Sequence, residues 1–300
     1  MEEELEVVIE QTEIMCDGLD QSIEEHKKRG FRLDMIFPAD SPREALMSKG
    51  GELVRLKAVP PALAGGGEPE HDPNSFSQET LIAREDFPPA HAGGSDFVRG
   101  RAGMEYRDLI PGRLGGKLIA SHIRLPFGGE VPDSVHYHKI DFQMIYCVRG
   151  RIEVVYEDQG PPFWLESGDC ILQPPEIRHR VLYSEAGAEV IEVSSPAEHE
   201  TWIDHEMELP NPDTDRNRLF GGQRFVHSRA EDADWALSGF GGYERRKTDI
   251  ENATGGLIDV QFFRSVSERT AIATSAVTEP GKGILICLED GGSILLEFLR

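Results

Sequence analysis

The chain changes its hydrophobic rhythm several times. Residues 1–30 are acidic, and IEEHKKRG closes like a helix, with basic residues in the last turn and Gly30 as the stop. FRLDMIFPAD reads as a short strand. SPREALMSKG predicts a short helix, with Ser41 as its cap and Pro42 in the first position. Pro60 to His91 is rich in Pro, Gly, Glu and Ser, which predicts a loop or linker. From about Gly100 to Ser195, short runs of Ile, Val, Tyr and Phe alternate with Gly and Pro, as in DFQMIYCVRGRIEVVYEDQGPP and AEVIEVSSP. Many short strands with turn signals between them predict an antiparallel sandwich or barrel. Pro196 to Ala230 is polar and predicts irregular structure.

Part of the pattern occurs twice. GMEYRDLIPGRLGGKLIASHIR, Gly103 to Arg124, resembles GYERRKTDIENATGGLIDVQFFR, Gly242 to Arg264. Further on, FQMIYCVRGRIEVVYE resembles GILICLEDGGSILLEF. The second copy reaches Arg300 where the first still has half its length to come. One complete barrel and part of another are therefore expected. The apolar strands of ILICLEDGGSILLEFLR would leave an exposed edge. That edge predicts dimerisation, pairing with the N-terminal segment, or poor solubility.

Charge and composition narrow the function classes. The 31 basic and 54 acidic residues give a net charge of −23, which disfavours nucleic acid and anionic membrane surfaces as partners. The start, MEEELEVVIE, lacks the basic end and apolar run of a signal peptide, and no apolar run approaches a membrane span. Cys16, Cys147, Cys170 and Cys287 are scattered without a CxxC pair, which fits reduced thiols and a cytoplasmic location.

The candidate chemistry lies in VHYHKIDFQMIYCVRG. His136 and His138 stand two apart in a predicted strand, so their side chains share a face. An HxH pair alone is weak evidence. Here, however, Gln143 follows after four residues and Gly150 after six more. GDCILQPPEIRH then sets Gly168, Pro174 and His179 at intervals of five and four. This constellation resembles the two motifs of the cupin superfamily, with two departures. Gln143 stands where the family has a Glu, and Glu176 stands where a Gly usually follows the PxG proline.

The resemblance implies an all-β jelly-roll barrel with a metal near its mouth, and a two-cupin organisation with the second cupin incomplete. Its domains would be a mixed α/β N-terminal extension and linker over residues 1–95, a metal-binding cupin over 96–198, a linker over 199–232 and a partial cupin-like domain over 233–300. His136, His138 and His179 would be the imidazole ligands, with Gln143 in the carboxylate position. In the second copy the matching positions fall near Thr278, Pro280 and Leu285. None is a metal ligand, so that copy is expected to bind no metal.

Three neutral imidazoles and a glutamine leave a divalent cation with two positive charges, where a Glu would leave one. Such a site favours a small anionic or enolisable substrate bound directly to the metal. Fe(II) is the favoured ion, and imidazole also suits Zn and Ni, with Mn a further candidate. Three-histidine cupins resemble non-haem iron dioxygenases, which is the leading expectation for function. The alternatives are a non-redox isomerase or lyase using the metal as a Lewis acid, and a non-catalytic small-molecule-binding cupin. Gln143, Cys147 and Arg178 are the candidate substrate contacts. Ile145 and Cys147 share the strand parity of Gln143, whereas Tyr146 has the opposite parity and should pack outside the barrel. His122 receives no ligand role, and His199 and His205 sit in the irregular stretch. A homo-oligomer is expected.

Overall fold

The structure is a computed structural model that describes residues 11–59, 81–84, 97–100, 103–110, 112–238, 242–266, 283–287 and 293–299. The N-terminal part forms β1 (Gln11–Cys16), α1 (Leu19–Lys28), β2 (Arg32–Phe37), β3 (Glu44–Lys49) and β4 (Glu52–Ala58). β5 is Leu81–Arg84. The central part holds β6 (Val98–Arg99), β7 (Glu105–Asp108), β8 (Ile119–Leu125), β9 (Gly129–Glu130), β10 (His136–His138) and β11 (Phe142–Arg149). It continues with β12 (Arg151–Tyr156), β13 (Phe163–Glu166), β14 (Cys170–Leu172), β15 (His179–Ser184), β16 (Ala188–Ser195) and β17 (Thr201–Ile203). After these come β18 (Leu219–Phe220), β19 (Gln223–Arg224), β20 (Val226–Ser228), β21 (Ala236–Leu237), β22 (Tyr243–Lys247), β23 (Ile258–Ser265), β24 (Gly283–Cys287) and β25 (Ser293–Phe298).

Two sheets make the jelly roll. One runs β20-β14-β11-β16-β8-β7-β6, and the other contains β10-β15-β12-β13. Their facing sides bury Ile123, Leu125, Cys147, Ile152, Val154 and Val190 in one apolar cluster. Strand parity explains this face. On β11, Gln143, Ile145 and Cys147 point inward, while Phe142, Met144 and Tyr146 point to a second cluster shared with Val260 and Phe262 of β23. Tyr146 stacks on Phe262 at 5.0 Å, so it packs outside the jelly roll, as its parity predicts.

Gly150 makes the corner between the two sheets. It joins β11 to β12 with φ +66°, and a Cβ there would meet Ala188 Cα at 3.2 Å. Only a residue without a Cβ takes this conformation and this contact without strain.

The expected helix at Ser41 is a strand. Glu44–Lys49 pairs with β2 on one side and β4 on the other, burying Ala45, Leu46 and Met47. Two full ladders and this burial outweigh a local capping signal. The helix ending before Gly30 is present as α1, and Gly30 has φ +88°. The stretch from Pro196 to Ala230, read as irregular, contains β17 to β20. β17 pairs with β10 and with β2, so the N-terminal strands extend the sheet that carries the histidines.

The third sheet runs β21-β22-β23-β25-β24-β5. β5 pairs in parallel with β24, so the C-terminal edge is covered by a segment from the N-terminal half, one of the three outcomes expected for it. Thr278 and Pro280 lie outside the described residues, as does most of the Pro60–His91 stretch. Among the described residues no helix is long and apolar enough to cross a membrane.

Gly150→Ala is expected to lower unfolding stability by about 1–3 kcal/mol through the positive φ and the crowding at Ala188. The midpoint of urea unfolding measures it. An unchanged midpoint would show that the corner relaxes freely.

Candidate metal centre

Two antiparallel pairings assemble the histidines. His136 of β10 lies directly opposite His179 of β15, and His138 shares the face of His136 one step along. All three are buried. The ring centroids stand 4.2 Å apart for His136 and His179, and 5.2 Å apart for each pair that includes His138. One ring nitrogen from each lies within 4.8 Å of the others. Among the described residues no Asp, Glu or Cys joins that group.

Local backbone geometry sets the chemistry of these rings. His136 Nδ1 lies 2.7 Å from the Ser134 carbonyl, and His179 Nδ1 lies 3.0 Å from the Ile177 carbonyl. A carbonyl accepts only, so each Nδ1 carries the proton and donates it. The lone pair is then on Nε2. His138 Nδ1 lies 2.8 Å from Thr201 Oγ1, which can accept in the same way. Three neutral imidazoles held as Nε2 donors are a set that fits a divalent transition metal. Buried Asp133 adds a carboxylate 3.6 Å from His136 Nδ1 while accepting the Val181 N–H at 3.0 Å.

Gln143 has a different task. Its side chain is fully buried. Its Oε1 accepts from Gln173 Nε2 at 2.5 Å, and its Nε2 donates to Ser194 Oγ at 3.0 Å. Tyr156 extends the chain by donating its hydroxyl to Gln173 Oε1 at 2.8 Å. Tyr156 also stacks on His179 at 5.3 Å, and burial pushes its phenol pKa upward. Gln143 is therefore a link in a buried hydrogen-bonded chain beside the histidines, with both ends of its amide engaged.

The other sequence candidates separate. Cys147 is fully buried with Sγ toward the carbonyls of Arg149 and Gly150, away from the cavity beside the histidines. Burial pushes its pKa up to about 12, so it packs in the core as a thiol. Arg178 points to the outer face, donating to Asp204 at 3.0 Å and lying over the Tyr137 ring at 4.1 Å. Tyr137 alternates with the two histidines on β10, which explains why its neighbours face outward. Glu176, where the family has a Gly, holds φ +60°, and its side chain pairs with Lys139. His122 is buried between Arg107 and Glu189 on the outer side of β8, and burial lowers its pKa to about 4. It does not join the histidine group.

The cavity at the histidines has a volume of about 50 Å³ and is lined mainly by apolar side chains such as Ile145, Val154 and Val190. Two charged residues missed by sequence reasoning also line it: Arg180 on β15 and Glu192 on β16. The register places Glu192 opposite Ile145, two residues along its strand from the Ser194 that faces Gln143. Alternation along AEVIEVSSP would have put Glu192 inward had Val190 been assigned to the core. His199 is buried, with its ring 5.3 Å from His138 and its Nδ1 on the Pro196 carbonyl at 3.1 Å. A larger cleft of about 810 Å³ runs from His136 to α1 and β2, so the N-terminal residues form its far wall. His205 bridges that junction through the Leu33 carbonyl at 3.0 Å.

Comparison with known proteins agrees with this architecture. Residues 121–194 match the family model Cupin_2, described as a cupin domain. The chain carries a cupin domain. Among solved structures, a mutant of Bacillus subtilis oxalate decarboxylase aligns at 17% identity over 56% of each chain, with a TM-score of 0.40. Another structure of that enzyme, described for its Mn(II) centres, aligns at 16% identity over the same shares and with the same TM-score. An RmlC-like cupin from Shewanella frigidimarina NCIMB 400 aligns at 26% identity over 34% of this chain and 84% of its own, with a TM-score of 0.28. The chain thus spans 56% of the length of the oxalate decarboxylase chains. No curated protein matches it.

Thr201→Val removes the oxygen that holds His138 Nδ1 and should weaken metal affinity by about 10–100-fold, while Thr201→Ser keeps it. Competition titration with a chromophoric chelator measures this. Equal affinities for the Val variant and the wild type would show that Thr201 does not orient the ring.

Proposed function

We propose that this cupin is a metal-dependent enzyme of the non-haem iron dioxygenase type, acting on a small anionic or enolisable substrate. The observation that carries the reading is the donor set: three imidazoles converge inside the jelly roll with one ring nitrogen of each within 4.8 Å of the others, and no carboxylate among the described residues belongs to that group. His136, His138 and His179 would hold the ion, with Fe(II) favoured. Bound there, it would supply Lewis acidity and a route for electron transfer between substrate and dioxygen.

The protein's own part is positional and electrostatic. Each Nδ1–H bond holds its ring in the tautomer that leaves Nε2 toward the ion. The apolar wall excludes water and strengthens electrostatic attraction to an anion. The Tyr156–Gln173–Gln143–Ser194 chain keeps the Gln143 amide occupied, and an amide carries no charge to offset the cation's.

A second reading is a non-redox isomerase or lyase, and Glu192 favours it. A carboxylate in the cavity wall could accept a proton from a substrate activated by the metal as Lewis acid. The two readings part on their need for oxygen and iron.

Protein loaded anaerobically with Fe(II) and screened with diketones and hydroxylated aromatic acids should consume oxygen in proportion to one substrate class, and the Zn(II) form should consume none. Turnover by the Zn(II) or Mn(II) form without oxygen would overturn the dioxygenase reading in favour of the second.

A further inference from the structure

His199 stands beside the metal centre and carries none of the roles assigned so far. It is 5% exposed, and its ring meets that of His138 edge-on at a centroid distance of 5.3 Å. Its Nδ1 donates to the Pro196 carbonyl at 3.1 Å, which ties that side of the ring back to its own chain. The other nitrogen, Nε2, is buried and has no hydrogen-bond partner among the described residues. Burial lowers the pKa of the ring, so the neutral form prevails and Nε2 keeps its lone pair. His199 stands outside the group of three metal-ligating histidines, so that lone pair calls for a hydrogen-bond donor. A buried acceptor without a donor is costly, and an incoming donor removes the cost.

The space that His199 lines is small and polar. It is a chamber of about 20 Å³, walled by His138, His199, Tyr106, Ser121, Glu192 and Asp40. The cavity at the three histidines shares His138, Tyr106 and Glu192 with it, so the two spaces adjoin. Strand register sets Ser121 directly opposite Glu192. Asp40 comes from the N-terminal part and is held by Arg113. The volume suits one water-sized group, which needs roughly 10–15 Å³. Acceptors dominate the wall: an imidazole lone pair and two carboxylates, with hydroxyls at Ser121 and Tyr106 that can take either part. A group with protons to give, a hydroxyl or an ammonium, fits that wall. A methyl group of the same size would leave His199 Nε2 unsatisfied.

We propose that this chamber is a substrate subsite, in which His199 Nε2 accepts a hydrogen bond from the hydroxyl or ammonium group of a small acid whose carboxylate lies in the adjoining histidine cavity. His199 is then a specificity-determining residue. It selects a donor-bearing acid over an apolar one of the same shape. The proposal rests on the metal-site reading above and adds to it the donor group that the substrate must carry.

The test uses the full chain loaded with Zn(II), with glycolate, glycine and propionate as probes. These three acids differ only in the hydroxyl, ammonium or methyl group on one frame. Calorimetry measures their affinities, and zinc content is determined in parallel. The wild type should bind glycolate or glycine about tenfold or more tightly than propionate, and the tighter of the two identifies the donor. His199→Phe should keep its zinc and lose that preference, and His199→Gln, which keeps an acceptor, should restore part of it. A zinc-loaded wild type that binds propionate as tightly as the others, or binds none of the three, overturns the proposal. So does a His199→Phe variant that keeps the wild-type preference. If His199→Phe does not fold, nitrogen-15 NMR of the wild type decides: the His199 Nε2 resonance should move with the preferred acid and stay with propionate, and a resonance that moves with neither sinks the subsite. A wild type that takes up no zinc overturns the metal reading instead. The probes are then compared on the metal-free protein, where a donor preference lost in His199→Phe supports the subsite and binding that is equal or absent sinks it.

Discussion

His136 and His179 face each other across the antiparallel pair β10 and β15, and most of the site depends on that one register. A slip of one residue would turn every side chain of β10 to the opposite face. The two histidines would then exchange places with Tyr137, which packs under Arg178 on the outside. The register is held from both sides. β15 continues into a ladder with β12, and β10 is locked on its other edge by β17. β17 in turn carries β2. The N-terminal strands, at first sight an appendage, therefore brace the strand that presents two of the three imidazoles. They also form the far wall of the cleft that leads to His136.

A second constraint sits on the rings. Backbone carbonyls two residues upstream hold His136 and His179 in the same tautomer. This links local chain geometry to ligand chemistry without any further polar side chain. Gln143 completes the arrangement in an unexpected way. Its amide is spent on Gln173 and Ser194, and the carboxylate of the cavity comes from the neighbouring strand as Glu192. A second carboxylate, buried Asp133, stands on the Nδ1 side of the His136 ring at 3.6 Å.

Much of the fold could be read from the sequence because strand alternation is a local signal. Parity alone separated Tyr146 from Gln143, and the spacing of His136, His138, Gly150 and His179 pointed to the cupin domain. What escaped was decided by non-local pairing. Glu44–Lys49 looks like a capped helix until β2 and β4 lie beside it. β17 looks like loop until β10 and β2 flank it. The directions of the candidate substrate contacts also depend on features beyond strand alternation. Arg178 lies just before β15, and its guanidinium goes to Asp204 and to the Glu176 carbonyl on the outer face, a destination set by the turn that carries Glu176 at positive φ. Cys147 has the right parity but lies too far along β11, toward the Gly150 corner.

The account stands on the three histidines acting together as one metal site. Its most direct test is elemental analysis of anaerobically purified protein beside a His136→Ala/His138→Ala variant of confirmed fold. About one equivalent of a divalent transition metal in the wild type and none in the variant is the expected result. Metal absent from both proteins, or retained equally by both, would contradict it.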